Sequence, residues 1–252
     1  MENKKIFFQI QRESQFDIII NNCSMRTKVF NLIPLPIMNK ILLTFPSIYK
    51  IKIVNYESVL TLNNGIKELL NGIKQVTNIE GNIIECGSAR CGTTAIMGNF
   101  LIKNKINKKI YACDSFEGFF NEEIKNEKKR GLTLVKESAF TYTSYDYVVK
   151  KIKKLKLCDK IIIVKGFFND TLSKIDSKFS LALIDADLEQ SVTDSAELVW
   201  PKLSRGGLML FDEYKSDEYK GAKLAIDRFV TNHKDEIDKH YMMDRLFYVQ
   251  KK

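Results

Sequence analysis

From Gly81 to its end, the chain alternates short apolar runs with stretches of helical spacing. The runs include Ile83-Ile84, Ile110–Cys113, Ile161–Val164, Phe179–Ile184 and Leu208–Phe211. Strands joined through helices pair in parallel, and a strand apolar along its whole length is buried on both faces. The pattern therefore restricts the fold to α/β, with a mostly parallel, doubly wound sheet and helices on both faces. Strands are expected at 82–86, 109–114, 160–164, 179–184, 207–211 and 245–250, and helices at 93–103, 148–155, 191–200 and 221–233. A further helix precedes them, because Ile66, Leu69, Leu70 and Ile73 recur at i, i+3, i+4, i+7. The polar stretch 119–140 reads as a mobile surface insertion. Residues 1–60 carry three of the four prolines and no clear period, so they are expected as an N-terminal appendage on a domain spanning 61–252. A length of 252 residues suits one such domain plus an appendage.

Charge and cysteine content narrow the function. The formal net charge is +9, but only seven of the 40 basic residues are arginine. Readers of bases and phosphates favour the arginine fork, so the excess reads as a solvated lysine surface and no nucleic-acid partner is expected. The five cysteines form no C-x-x-C pair, which argues against a disulfide framework or a zinc site and for a reducing, cytoplasmic setting. The opening MENKK is followed by only a short apolar stretch, unlike a signal peptide. No run reaches the roughly 18 apolar residues of a membrane helix. His233 and His240 lie in polar sequence and are expected on the surface.

In parallel α/β sheets, ligands gather beyond the carboxyl ends of the strands. After the first strand comes a turn bracketed by Gly87 and Gly92, with Thr93 placed to cap the next helix. It is not the dinucleotide fingerprint, because Ala89 stands where the middle glycine would be. After the second strand stands Asp114, 22 residues beyond Gly92; a carboxylate there offers two acceptors to a ribose diol. The fourth strand ends in Asp185-Ala186-Asp187 and the fifth in Asp212-Glu213. One right-handed crossover connects them, so neighbouring strands would bring three or four carboxylates together. Such a cluster calls for a hard cation, and the all-oxygen donor set suggests Mg²⁺, Ca²⁺ or Mn²⁺.

These residues resemble the macrocin O-methyltransferase family, which includes the sugar O-methyltransferases of macrolide and aminocoumarin biosynthesis. The matching stretches are Gly81–Gly92 (GNIIECGSARCG), Asp114–Gly118 (DSFEG), Gly166–Leu172 (GFFNDTL), Asp185–Leu188 (DADL) and Pro201–Tyr214 (PKLSRGGLMLFDEY). They occur in the family's order and span roughly residues 56–235. The resemblance implies a Rossmann-like class I methyltransferase fold that uses S-adenosylmethionine, with a small-molecule acceptor and a homo-oligomeric state. It places the cofactor's methionine end at Glu85, Gly87 and the turn through Ala89, Arg90, Gly92 and Thr93. It places the ribose at Asp114, with Ser115 and Phe116 beside it, and the adenine near Gly166 and Phe167. It implies Mg²⁺ on Asp185, Asp212 and Glu213, and Asp187 as general base. The family has a bulky aromatic where Ala89 stands, Gly at Ala186, Tyr at Glu189 and more often Asp at Glu213. Acceptor choice is therefore expected around Glu189 and Tyr214, in 119–140 and in the appendage.

The reading that follows is an O-methyltransferase acting on a hydroxyl of a sugar or glycosylated metabolite. A nicotinamide oxidoreductase is opposed by the missing fingerprint. An RNA-modifying or RNA-binding protein is supported by the net charge and opposed by the low arginine content. A methyltransferase fold serving as a binding module without turnover is the remaining alternative.

Overall fold

The computed structural model describes residues 64–252, together with the isolated helical positions Ile37, Lys40 and Thr44. Apart from these three positions, the expected appendage, 1–60, lies outside the described residues. The first described helix, α1 (Gly65–Gln75), buries Ile66, Leu69, Leu70 and Ile73, the four positions its spacing singled out. The strands β1 (Asn82–Cys86), β2 (Ile110–Asp114), β3 (Ile161–Lys165), β4 (Phe179–Ile184) and β5 (Leu203–Phe211) follow in chain order, with β6 (Ile237–Met242) and β7 (Phe247–Lys251) after them. Between them lie α2 (Gly92–Lys103), α3 (Asn121–Lys129), α4 (Tyr145–Lys154), the single turn α5 (Phe168–Thr171), α6 (Glu189–Val199) and α7 (Lys220–Asn232).

The seven strands form one sheet in the order β3-β2-β1-β4-β5-β7-β6. The five strands from β3 to β5 run parallel, and β7 and β6 close the edge as an antiparallel hairpin. Side chains alternate between two cores, as the period of two requires. Leu181, Leu183, Leu208 and Leu210 face α1, α2 and α4. Ala182, Ile184, Met209 and Phe211 face α6 and α7, where Trp200 and Phe229 pack edge to face at 5.2 Å.

Three expectations need correction. The edge strand β6 was not anticipated: only Ile237 is buried in it and the next four residues are exposed, a polar pattern that suits an edge strand. The stretch 119–140, expected as a mobile insertion, packs on the domain. Ile124 and Glu127 of α3 are buried, Thr133 bridges to Tyr219, and the Lys220 amide donates to the Leu132 carbonyl at 3.0 Å. Carboxylates anchor α3. Glu123 Oε1 and Oε2 accept from the Ser191 amide and hydroxyl at 2.5 and 2.8 Å, and Glu127 Oε1 accepts from the Glu189 amide. They satisfy first-turn donors of α6 that have no partner within that helix. His233 is also more enclosed than expected, its ring against Trp200 and Phe229 and both nitrogens on Glu197 and Glu236.

The winding reverses at β1, whose neighbours are β2 on one side and β4 on the other. Loops beyond the carboxyl ends of these strands part there and leave room for a ligand.

Candidate active site

A cavity of about 900 Å³ opens at this reversal. Register aligns its floor: Cys86 lies beside Ile184, and Ile184 beside Phe211. The Asp185 amide donates to the Cys86 carbonyl at 2.9 Å, and the Asp212 amide to the Ile184 carbonyl at 3.1 Å. The residues immediately after β1, β4 and β5 therefore leave the sheet at one level.

One half of the cavity is built by the turn after β1. Gly87 (φ 94°) passes so close to the end of β4 that an added Cβ would lie 1.8 Å from the Asp185 carbonyl oxygen. Ala89 (φ 42°) and Cys91 (φ 55°) adopt left-handed backbone in the same turn, a sparsely populated conformation for side-chain-bearing residues. Asp114 locks the turn: its Oδ2 accepts from the Ala89 amide at 2.8 Å and its Oδ1 from the Phe116 amide at 2.7 Å. Burial nonetheless holds the Asp114 pKa above its ordinary value. Glu85 is also buried and takes the Thr94 hydroxyl on Oε2. Burial, against that hydrogen bond, pushes its pKa up from 4.5 to about 8.

Most of the expected cofactor residues meet on this wall: Glu85, Gly87, Ala89, Arg90, Thr93, Asp114, Ser115, Gly166 and Phe167 line the cavity. Gly92 and Phe116 do not. Gly92 opens α2, and Phe116 is buried against Tyr145, contributing its amide to Asp114. Thr93 does not cap α2; the cap position is Cys91, whose side chain makes no capping hydrogen bond. Ser115 Oγ accepts from the Glu117 amide and donates to the Gly118 carbonyl, and the Arg90 guanidinium lies 4.5 Å from the Tyr147 ring centroid.

The other half is acidic. Asp185, Asp187 and Glu213 each present an oxygen within 4.8 Å of the others. Burial, reinforced by mutual repulsion, raises all three pKa values, Glu213 to about 7. Asp187 sits in left-handed backbone (φ 61°). Asp212, the remaining acid of the expected set, is engaged differently. Arg245 donates from Nε to its Oδ1 at 2.5 Å and from Nη2 to its Oδ2 at 2.6 Å, and the same Nη2 reaches Glu213 Oε1 at 3.0 Å. Sequence reasoning missed Arg245, which lies 33 residues from Asp212 on the turn between β6 and β7.

Acceptor choice was expected around Glu189 and Tyr214, but neither side chain lines the cavity. The Glu189 carboxylate is shared by Arg130 and Arg228 at 2.5 and 3.0 Å. The Tyr214 hydroxyl donates to Asp227, and its ring stacks on Phe247 at 4.3 Å. The wall instead holds Phe119, Phe120, Phe140, Tyr142 and Tyr219. Thr143 Oγ1, on the same wall, is buried with no partner among the described residues.

The buried Glu85 carboxyl makes stability pH-dependent. Its folded pKa, about 8, exceeds the ordinary 4.5, so the stability it contributes is complete below about pH 4.5 and is lost as pH rises through about 8. The ligand-free protein should melt progressively lower between pH 5 and 8, and Glu85→Gln should flatten that slope. An unchanged slope in the variant, followed by calorimetry, would refute the assignment.

Residues 60–245 match the profile of the macrocin O-methyltransferase (TylF) family. A demethyldecarbamoylnovobiocin O-methyltransferase of Streptomyces niveus is 27% identical over 192 residues, 69% of this chain and 72% of that protein. A 4'-O-methyltransferase of Streptomyces olivaceus, acting on a dimethoxyrhamnosyl tetracenomycin, is 26% identical over 57% of each chain. The solved O-methyltransferase NovP superposes with a TM-score of 0.66 at 21% identity, covering 78% of this chain and 83% of that one. A calicheamicin methyltransferase superposes at 0.65 and 16% identity, covering 91% of both. No described helix is long and apolar enough to cross a membrane. The chain belongs to the macrocin O-methyltransferase family and is an S-adenosylmethionine-dependent O-methyltransferase.

Proposed function

We propose that this chain methylates a hydroxyl of a sugar borne by a small molecule. The observation that carries the reading is that the Glu85–Asp114 wall and the Asp185–Asp187–Glu213 cluster face one cavity. The relative named for a rhamnosyl substrate supports the acceptor class.

S-adenosylmethionine would supply an electrophilic methyl group on a sulfonium. Glu85, in its charged form, would hold the methionine amino group, and Asp114, fixed by two amides, would take the ribose diol. Gly87 would let backbone approach the cofactor, and Gly166 and Phe167 would border the adenine. The unpartnered Thr143 Oγ1 offers a further polar contact. Methyl transfer is an in-line displacement, so the wall's main task is orientation of the two reactants. The cluster fits a divalent cation, because three half-buried carboxylates this close repel one another without one. A cation held by Asp185 and Glu213 would act as a Lewis acid toward the acceptor hydroxyl. Asp187 would accept the hydroxyl proton at a carboxylate oxygen.

The test is thermal stability with S-adenosylhomocysteine, in Mg²⁺ and in EDTA, followed by transfer of a labelled methyl to glycosides with free hydroxyls. At a hundred times its Kd, a ligand stabilises the fold by about 2.7 kcal/mol, a rise in Tm on the order of 5–10 °C for a chain of this size. Absence of a shift would overturn the cofactor site. A shift without transfer to any glycoside would favour a binding role.

A further inference from the structure

The aromatic wall of the cavity carries a phenol where it meets the acidic half. Tyr219 is 7% exposed and lines the cavity. Its ring packs with Ile124 of α3 and with Leu188, the residue after Asp187. It lies edge to face with Phe119 at 6.3 Å, and Phe119 in turn meets Phe140 at 5.3 Å. The backbone is pinned as well. The Tyr219 amide donates to Ser216 Oγ at 3.3 Å, its carbonyl accepts from the Ala222 amide at 3.1 Å, and Thr133 bridges to it. The hydroxyl, in contrast, makes no hydrogen bond among the described residues. An unperturbed phenol already keeps its proton at neutral pH. Burial, and then the negative charges of Asp187 and Glu213, raise the Tyr219 pKa further above its ordinary 10. The group therefore stands beside the acids as a donor. The other donors at the cluster are committed, Arg245 to Asp212 and Glu213 and Ser216 to Glu213.

Resting on the reading that this cavity takes a sugar hydroxyl, we propose that Tyr219 selects which hydroxyl is methylated, by donating a hydrogen bond to the acceptor hydroxyl next to the reacting one. Ionised carboxylates only accept hydrogen bonds, so the acids of the cluster cannot hold a sugar oxygen by its lone pairs. A donor fixed between Leu188 and Phe119 supplies that contact. Neighbouring hydroxyls of one sugar present nearly the same shape to an apolar wall, and a placed polar group tells them apart. The bond goes to the neighbouring oxygen because the reacting one gives its proton to Asp187 and its lone pair to the methyl group. A donor on that oxygen would compete with the attack. Phe119 and Phe140 continue the wall and offer flat apolar surface to the rest of the acceptor.

The experiment compares the full chain with Tyr219→Phe, which removes the hydroxyl and keeps the ring. The probes are aryl glycosides with free hydroxyls. The glycoside that the parent methylates is then tested beside analogues that lack, in turn, each hydroxyl next to the methylated position. Tyr219→Phe is expected to keep the rise in Tm with S-adenosylhomocysteine. It is expected to lose about 3–10-fold in kcat/KM for the intact glycoside, the range for one neutral hydrogen bond, and to place methyl on more than one hydroxyl. One deoxy analogue is expected to lose a similar factor with the parent and none with Tyr219→Phe, the non-additivity of two groups in contact. A tyrosine that only supports the fold would leave the deoxy penalties equal in the two proteins. Equal penalties, a parent-like kcat/KM in Tyr219→Phe, or loss of the Tm rise in that variant overturns the proposal. If the parent transfers to none of the glycosides while S-adenosylhomocysteine still raises its Tm, the acceptor reading fails and this proposal with it. If S-adenosylhomocysteine does not raise the parent's Tm, the cofactor reading has failed as well.

Discussion

Asp187→Asn is expected to bind S-adenosylhomocysteine as the parent does and to lose turnover by a factor of about 10²–10⁴, the range for removal of a general base. The choice of asparagine matters. Asp187 holds a positive φ of 61°, and Asn and Asp are the side chains that best tolerate that region. Asparagine therefore keeps the backbone and shape while removing the basic oxygen. Alanine would mix lost basicity with backbone strain. Asp187 also belongs to the convergent carboxylate cluster, so rates should be taken at saturating Mg²⁺. Calorimetric titration of S-adenosylhomocysteine gives the binding half of the test. A variant within about threefold of the parent rate would remove Asp187 from the base role.

Gly87→Ala is expected to have the largest effect on the fold. The added Cβ would meet the Asp185 carbonyl oxygen at 1.8 Å and its carbon at 2.6 Å. These are main-chain atoms at the end of a central strand, so no rotamer change relieves the clash. The backbone strain of a φ of 94° adds to it, about 1–3 kcal/mol, and forced displacement of packed structure costs a similar amount. A fall in Tm on the order of 10 °C, with loss of S-adenosylhomocysteine binding, is the expected result. Gly131→Ala separates the two causes. Gly131 also has a positive φ (69°), but nothing lies within 4 Å of its added Cβ. It should cost only about 1 kcal/mol. Equal losses in the two variants, by thermal denaturation, would show that conformation rather than the approach to β4 governs position 87.

The core of this molecule was readable because parallel strands bury both faces. The run Leu208–Phe211 is buried throughout and the acids that follow it stood out against it, whereas Ile161–Val164 reads the same way although β3 is an edge strand in which only Ile161 is buried. What escaped was structure made by charges. In α3 the apolar signal is Ile124; Glu123 and Glu127 resemble a solvated face until α6 supplies amides for them. In β6 the pattern of an exposed edge carries no strand period, so the hairpin, and with it the position of Arg245, was invisible. Glu189 was legible as a departure from the family but not as the partner of Arg130 and Arg228, which approach it from separate helices. Spacing brings acids to the ends of neighbouring strands. Which of them meets an arginine is decided by a long-range turn.

That turn links two properties usually free to vary separately. The hairpin that closes the sheet also supplies the guanidinium in the acidic half of the cavity. A substitution chosen to tune the chemistry through Arg245 loads the sheet's edge, and one that loosens the edge retunes the chemistry.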